Sequence, residues 1–206
     1  MSEEIKKQHR LSGEERREHI VQAALELAAK RGIDRVTTQD MAGALGLTQG
    51  AIFRHFATKD AIWLAVVDWI RSQVAQNLGR IADEDPLVAL EKLFFLQTGF
   101  IAKYPAIPRL MFTDLIHSDN AAIKQLIQGI VTGFEERVAG LLRQAKERGS
   151  APPELDEYSA ATLFLGMIQG LAVQAAMFGA KRGIAAQAKK VFPIYLSGVL
   201  RRPPQP

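Results

Sequence analysis

Apolar residues recur at spacings of three and four along almost the whole chain, and strand-like alternation is nowhere sustained. The pattern predicts an all-α protein of about nine helices, bounded by caps and breakers. Ser12 with Glu15 makes a capping box, Ile20, Ala24, Leu27 and Ala28 form one apolar stripe, and Gly32 ends the first helix. Thr37 with Asp40 repeats the device for a second helix, whose inward residues are Met41, Ala42 and Leu45 and which Gly46 ends. Thr48 caps a third, with Ile52 and Phe56 inward. Thr58 caps a fourth, which runs through Trp63, Trp69 and Val74 to about Ile81. Pro86 suits the first turn of a fifth helix, to about Lys103. Tyr104-Pro105 and Pro108 mark a corner before a short sixth helix, to about His117. Ser118 opens a long seventh, to about Arg148, and GSAPP is a loop. An eighth helix spans about Asp156 to Phe178. A ninth spans about Ile184 to Leu200, where Pro193 removes one amide from the ladder and predicts a kink.

Composition changes this picture little. The net charge of the 206 residues is +4, which alone does not imply nucleic acid. Cysteine is absent, which fits a reducing cytoplasm. The N-terminal MSEEIKKQHR has no apolar run after its charges, so no secretory signal is expected. The greasiest segment, Ala160 to Ala180, carries three glycines and two glutamines, and predicts a buried interface helix in place of a membrane span.

Local charge says more than the total. From Met41 to Lys59 there is no acidic residue. Two short helices around Gly46, with Met41, Leu45, Leu47, Ile52 and Phe56 facing inward, have the form of a helix-turn-helix, which holds an α-helix in the major groove of B-DNA. Its outer face is Gln49, Gly50, Ala51, Arg54 and His55, and the small Gly50 and Ala51 permit close approach. Gln49 suits adenine and Arg54 suits guanine. Thr38, Thr48, His55 and Lys59 suit phosphates. The same pattern also suits an ordinary helical hairpin with a solvated basic face.

Beyond the bare pattern, Thr37, Met41-Ala42, Gly46-Leu47-Thr48, Gly50, Ile52-Phe53, His55-Phe56 and Lys59 resemble the DNA-binding segment of TetR-type transcriptional regulators. The specific resemblance covers about residues 12 to 70, and Met41 is a mild departure from it. A second departure is Phe53, where many relatives place a phosphate-binding tyrosine, so Phe53 is left out of the phosphate contacts. The resemblance implies base-facing roles for Gln39, Gln49, Ala51 and Arg54, and backbone contacts from Thr38, Thr48, His55 and Lys59. It implies a head over 1–57, with a basic arm (Lys6, Lys7, Arg10), and a ligand-binding, dimerising domain over 58–206.

Within the second domain, Gly166 and Gly170 permit close helix approach, and with Val191, Tyr195 and Val199 they are the expected homodimer interface. Trp63, Phe94, Phe95, Thr98, Met111, Leu115, Phe134, Phe164, Met167 and Gln174 are the expected pocket residues for a small hydrophobic or aromatic effector. The same residues are ordinary core material. Arg109 and His117 are placed to hold a polar group of such a ligand. The expectation is therefore a cytoplasmic, dimeric repressor released from a palindromic DNA operator by its effector. A DNA-organising or cell-division factor on the same fold is the alternative.

An enzyme has little support. Asp114 and His117 form one carboxylate-x-x-histidine pair where a di-iron bundle needs two. There is no cysteine, glycine-rich phosphate loop or G-x-S-x-G. No metal or other cofactor is expected.

Overall fold

The computed structural model describes residues 12–82, 84–115 and 119–200, and among these it is all helical. Nine α-helices follow one another: α1 Gly13–Arg31, α2 Thr38–Ala44, α3 Gln49–Phe53, α4 Lys59–Gly79, α5 Pro86–Lys103, α6 Ile107–Arg109, α7 Ala121–Glu147, α8 Glu157–Phe178 and α9 Ile184–Leu200. Short 3-10 turns sit at Ile33–Arg35 and Gly179–Arg182, and a π-helical turn at Leu110–Asp114. The basic arm, Ser118 and His117 lie outside the described residues. Packing divides the chain into two compact units, Met1–Val66 and Val67–Pro206, so the division falls inside α4.

Most helix starts are set by the predicted caps. At α1 the Ser12 hydroxyl accepts from the Glu15 amide at 3.2 Å, while the Glu15 carboxylate takes the Ser12 amide at 2.7 Å. Thr37 and Asp40 do the same at α2, at 3.1 and 2.9 Å. The Thr37 hydroxyl and amide, and beyond them Arg31 at 3.0 Å, hold the Asp40 carboxyl below its usual range. Pro86 begins α5 behind the Asp85 cap, and Asp156 caps α8. The start of α7 corrects an expectation. Asn120 is the cap, its side-chain oxygen accepting from the Ala122 and Ile123 amides at 3.1 and 3.4 Å. Asparagine at that position offers a carbonyl oxygen of the right reach.

In the first unit α1, α2 and α3 bury Ile20, Ala24, Met41, Ile52 and Phe56. In the second unit the centre is aromatic. Phe94 of α5 meets Phe164 of α8 edge-on at 5.4 Å and Phe192 of α9 at 5.1 Å. Tyr195 packs edge-on against Phe164 at 5.6 Å and donates its hydroxyl to the Ala160 carbonyl at 3.0 Å. Burial pushes the Tyr195 phenol well above its usual pKa, so it remains a donor. The α7–α8 corner is clamped by Lys146, which donates to the Leu155 carbonyl at 2.7 Å and to Glu157 at 3.0 Å. By length and composition α8 is apolar enough to cross a membrane. One of its faces (Ala160, Ala161, Phe164, Ile168, Leu171) is core, and another exposes Leu163, Val173 and Met177.

Two stability predictions come from the head. Gly46 is left-handed, with φ +64°, whereas Gly50 is helical and a methyl there would meet no neighbour within 4 Å. Gly46→Ala should therefore destabilise the head by about 1–2 kcal/mol, and Gly50→Ala should stabilise it by about 0.5 kcal/mol. Urea unfolding followed by Trp63, made the sole tryptophan by Trp69→Phe, measures both. The Asp40 contribution is full above the ordinary carboxylate pKa and is lost as pH falls through its lowered folded value. The stability gap between the parent and Asp40→Asn should accordingly hold from neutral pH down to about pH 4 and narrow as the pH falls further.

Candidate nucleic-acid interface and apolar cavity

The turn between α2 and α3 is drawn tight by the Leu47 amide, which reaches back to the Ala42 carbonyl at 2.8 Å. Thr48 then caps α3, its hydroxyl accepting from the Ala51 amide at 3.2 Å. With Ile52 and Phe56 buried beneath, Gln49, Gly50 and Arg54 are exposed and Ala51 is half-exposed. Gln39 is exposed at the start of α2, and Phe53 is 45% exposed. The four expected base-facing residues thus all reach the surface of the head.

Expected phosphate-contacting residues fall into two kinds. Thr48 is exposed and His55 half-exposed. Thr38 is only 7% exposed, and its hydroxyl accepts from the Gln49 side-chain amide at 2.8 Å. Thr38 is therefore spent on orienting Gln49 across the turn. One Gln49 N–H and its carbonyl oxygen are left over, the pair that a bidentate contact to adenine uses. Lys59 begins α4 and directs its ammonium toward the Ile33 carbonyl at 3.5 Å, a weak contact that leaves donors for an anion. Arg17 is a participant that the sequence pattern did not reveal. Its guanidinium lies over the Phe56 ring at 4.1 Å and donates to the His55 carbonyl, covering the end of α3 with a cation. Nothing in a separation of 38 residues signals that contact.

The second unit contains a partly enclosed apolar cavity of about 50 Å³. Its wall includes Ile70 and Val74 of α4, Gln97 and Phe100 of α5, Met111 and Phe112 of the π turn, and Phe134 of α7. Of the ten expected pocket residues, Met111 and Phe134 line it. Phe94, Phe95 and Phe164 are consumed by ring packing with one another and with Phe192. Thr98 is buried and returns its hydroxyl to the Phe94 carbonyl at 2.8 Å. Leu115 is core, Trp63 belongs to the first unit, and Gln174 is bonded to Arg182 at 3.0 Å. Met167 lines a separate groove between α8 and α9. The residue missed is Gln97, whose signal was a polar side chain on the apolar stripe of Leu93, Phe94 and Ile101.

That α8–α9 groove also redistributes the expected dimer residues. Gly166 is exposed, and Gly170 and Val191 are half-exposed. Tyr195 and Val199 are buried in their own chain, because α9 turns the Ala188, Phe192, Tyr195, Val199 stripe inward. The outward apolar side chains that line the groove are Leu163, 57% exposed, and Ile194, 73% exposed.

Comparison with known proteins agrees with this geometry. The family described as bacterial regulatory proteins, tetR family, matches residues 20–66. The nucleoid occlusion factor SlmA of Shewanella pealeana is 27% identical over 161 residues, covering 77% of this chain and 82% of that protein. Among solved structures, the FadR regulator of Bacillus subtilis in complex with stearoyl-CoA superposes with a TM-score of 0.76 at 20% identity, covering 88% of this chain and 98% of the other. A regulator described as putative from Saccharomonospora viridis, in complex with choline, gives 0.80 at 21% identity, with 92% and 100% covered. With its glycine turn, capped third helix and family match over residues 20–66, the head of this chain is of the TetR type of bacterial regulatory proteins.

Proposed function

We propose that the protein is a cytoplasmic, dimeric transcriptional repressor released from a palindromic operator by a small apolar effector. The observation that carries the effector half is the partly enclosed apolar cavity with Gln97 in its wall. The dimer half is supported by the outward Leu163 and Ile194 of α8 and α9, apolar side chains that a soluble chain exposes at a cost unless a partner covers them. A two-fold pair also answers a limitation of the head, since one five-residue helix reads too few base pairs to specify a site.

Gln39, Gln49, Ala51 and Arg54 face bases in this reading. Thr48, His55 and Lys59 meet phosphates, and Thr38 acts through Gln49. The continuous helix α4 carries Lys59 at its start and Ile70 and Val74 of the cavity wall three turns later. An effector that moves those two residues acts on the helix that also holds a phosphate contact. It shifts the population between DNA-competent and incompetent states by its differential affinity for them.

One finding favours a second reading. The SlmA proteins matched over most of this chain are named nucleoid occlusion factors, which fits a protein that binds many DNA sites and answers to a protein partner. Binding to the DNA beside the protein's own gene, with random competitor and with the organic fraction of a cell extract, separates the two. One tight operator released by the extract supports the repressor. Many equal sites with no release support the organiser.

Arg54→Ala should weaken operator binding by about 1–3 kcal/mol and relax specificity at one base pair. Lys59→Ala should weaken all sequences alike and lower the salt slope by about one. Fluorescence anisotropy at several salt concentrations reads both, and parent-like behaviour of both variants would overturn the contact map. Leu163→Asp with Ile194→Asp should leave monomer stability within about 0.5 kcal/mol, as exposed substitutions do. The same pair should abolish dimers in sedimentation, and operator affinity should fall at least tenfold.

A further inference from the structure

The cavity wall contains an unanswered hydrogen-bonding atom. Gln97 Oε1 is shielded from solvent and has no hydrogen-bond partner among the described residues. Buried carbonyl oxygens are almost always paired, because an unpaired one has lost its water without compensation. Around it the wall is Ile70, Val74, Phe100, Met111, Phe134 and other apolar side chains, with Gln169 as the second carboxamide. Among the described residues, no Asp, Glu, Lys, Arg or His contributes to the wall.

The structure assigns this cavity to an uncharged, mainly apolar ligand bearing a hydroxyl group, which Gln97 holds by a hydrogen bond. The assignment rests on the effector reading above and narrows it. A carboxylate or an ammonium group would surrender its hydration with no counter-charge among the described residues of the wall. A plain hydrocarbon would leave Gln97 as it is. A hydroxyl both donates and accepts, so it satisfies the carboxamide whichever of its ends faces the ligand.

Room for such a ligand comes from the π turn. The free volume of about 50 Å³ admits only a few waters, whereas ligand sites commonly reach several hundred Å³ (roughly 300–1,000). Met111 and Phe112 belong to the turn Leu110–Asp114, where the Leu115 amide spans five residues to the Leu110 carbonyl at 2.8 Å. Wide turns of this kind concentrate at functional sites. The unbranched Met111 thioether can change rotamer at little cost, and outward movement of this pair enlarges the cavity while α5 and Gln97 stay in place.

Four probes with an eight-carbon chain test the assignment on the full-length protein: 1-octanol, octane, octanoate and octyltrimethylammonium. Binding is read by calorimetry and by the fluorescence of Trp69, whose ring lies 6.0 Å from that of Phe100 in the wall. Octanol should bind at least tenfold more tightly than either charged probe. Gln97→Leu should weaken octanol about three- to tenfold, as loss of one hydrogen bond does, and leave octane unchanged. It should also raise the unfolding temperature by about 2–4 °C, since the variant removes an unpaired buried acceptor. Gln97→Met, closer in shape, should behave alike, and its unfolding curve guards against a folding defect in the leucine variant. A charged probe that binds as tightly as octanol, octanol affinity indifferent to both variants, or no octanol binding would each overturn the ligand class. Gln97-dependent octanol binding that leaves operator affinity unchanged would keep the ligand class and retire the effector reading. Failure of octanol beside intact release by a cell extract would do the reverse.

Discussion

The proposed DNA-facing surface depends on the burial of two side chains. A five-residue helix has no stability of its own in water, because nucleation fixes several dihedrals for each bond gained. Helix α3 exists because Ile52 and Phe56 are held in the core of the head and the Thr48 hydroxyl closes its first turn. Once those are in place the directions of the other side chains are no longer free. Gln49, Ala51 and Arg54 must lie on the opposite side, and Thr38 can reach Gln49 across the turn. The exposed ring of Phe53 belongs to the same geometry. It occupies a surface position that packing does not require to be apolar.

Within the second unit, the same aromatic residues could have served as a wall or as a core, and ring geometry decides. Phe94, Phe164, Phe192 and Tyr195 meet edge-on or tilted at 5.1 to 6.2 Å, so little space remains among them. This cluster joins α5, α8 and α9 into a firm block. The cavity opens elsewhere, against the π turn and α7, where unbranched and aliphatic side chains dominate. In the proposed reading, a site that adjusts to a ligand beside a block that does not is what a switch between two discrete arrangements needs.

Much of this was legible before any coordinates. Caps are local chemistry, so Ser12, Thr37, Thr48, Pro86 and Asp156 mark helix starts directly, and the glycine turn with its acid-free flank marks the head. What was hidden is what depends on rotation about a helix axis. Helices α8 and α9 are apolar on more than one side, and periodicity does not say which side turns inward. Tyr195 and Val199 were placed outward for that reason, while Ile194, one residue from Tyr195, is the exposed one. Arg17 on Phe56 and the orphaned Gln97 oxygen depend on elements far apart in the chain, beyond the reach of any spacing rule.

The clamp at the α7–α8 corner has a consequence for the order in which the second unit assembles. Residues 148–156 are all that separate two of its longest helices. Gly149 is left-handed, Pro152 and Pro153 stiffen the segment, and Lys146 ties both sides of it to Glu157. Closing so short a connection costs little chain entropy, whereas bringing α5 onto α9 must close a loop through α6, α7 and α8 first. The α7–α8 hairpin is therefore the cheapest large pairing in the unit, and collapse of the remaining helices has a local template from which to proceed.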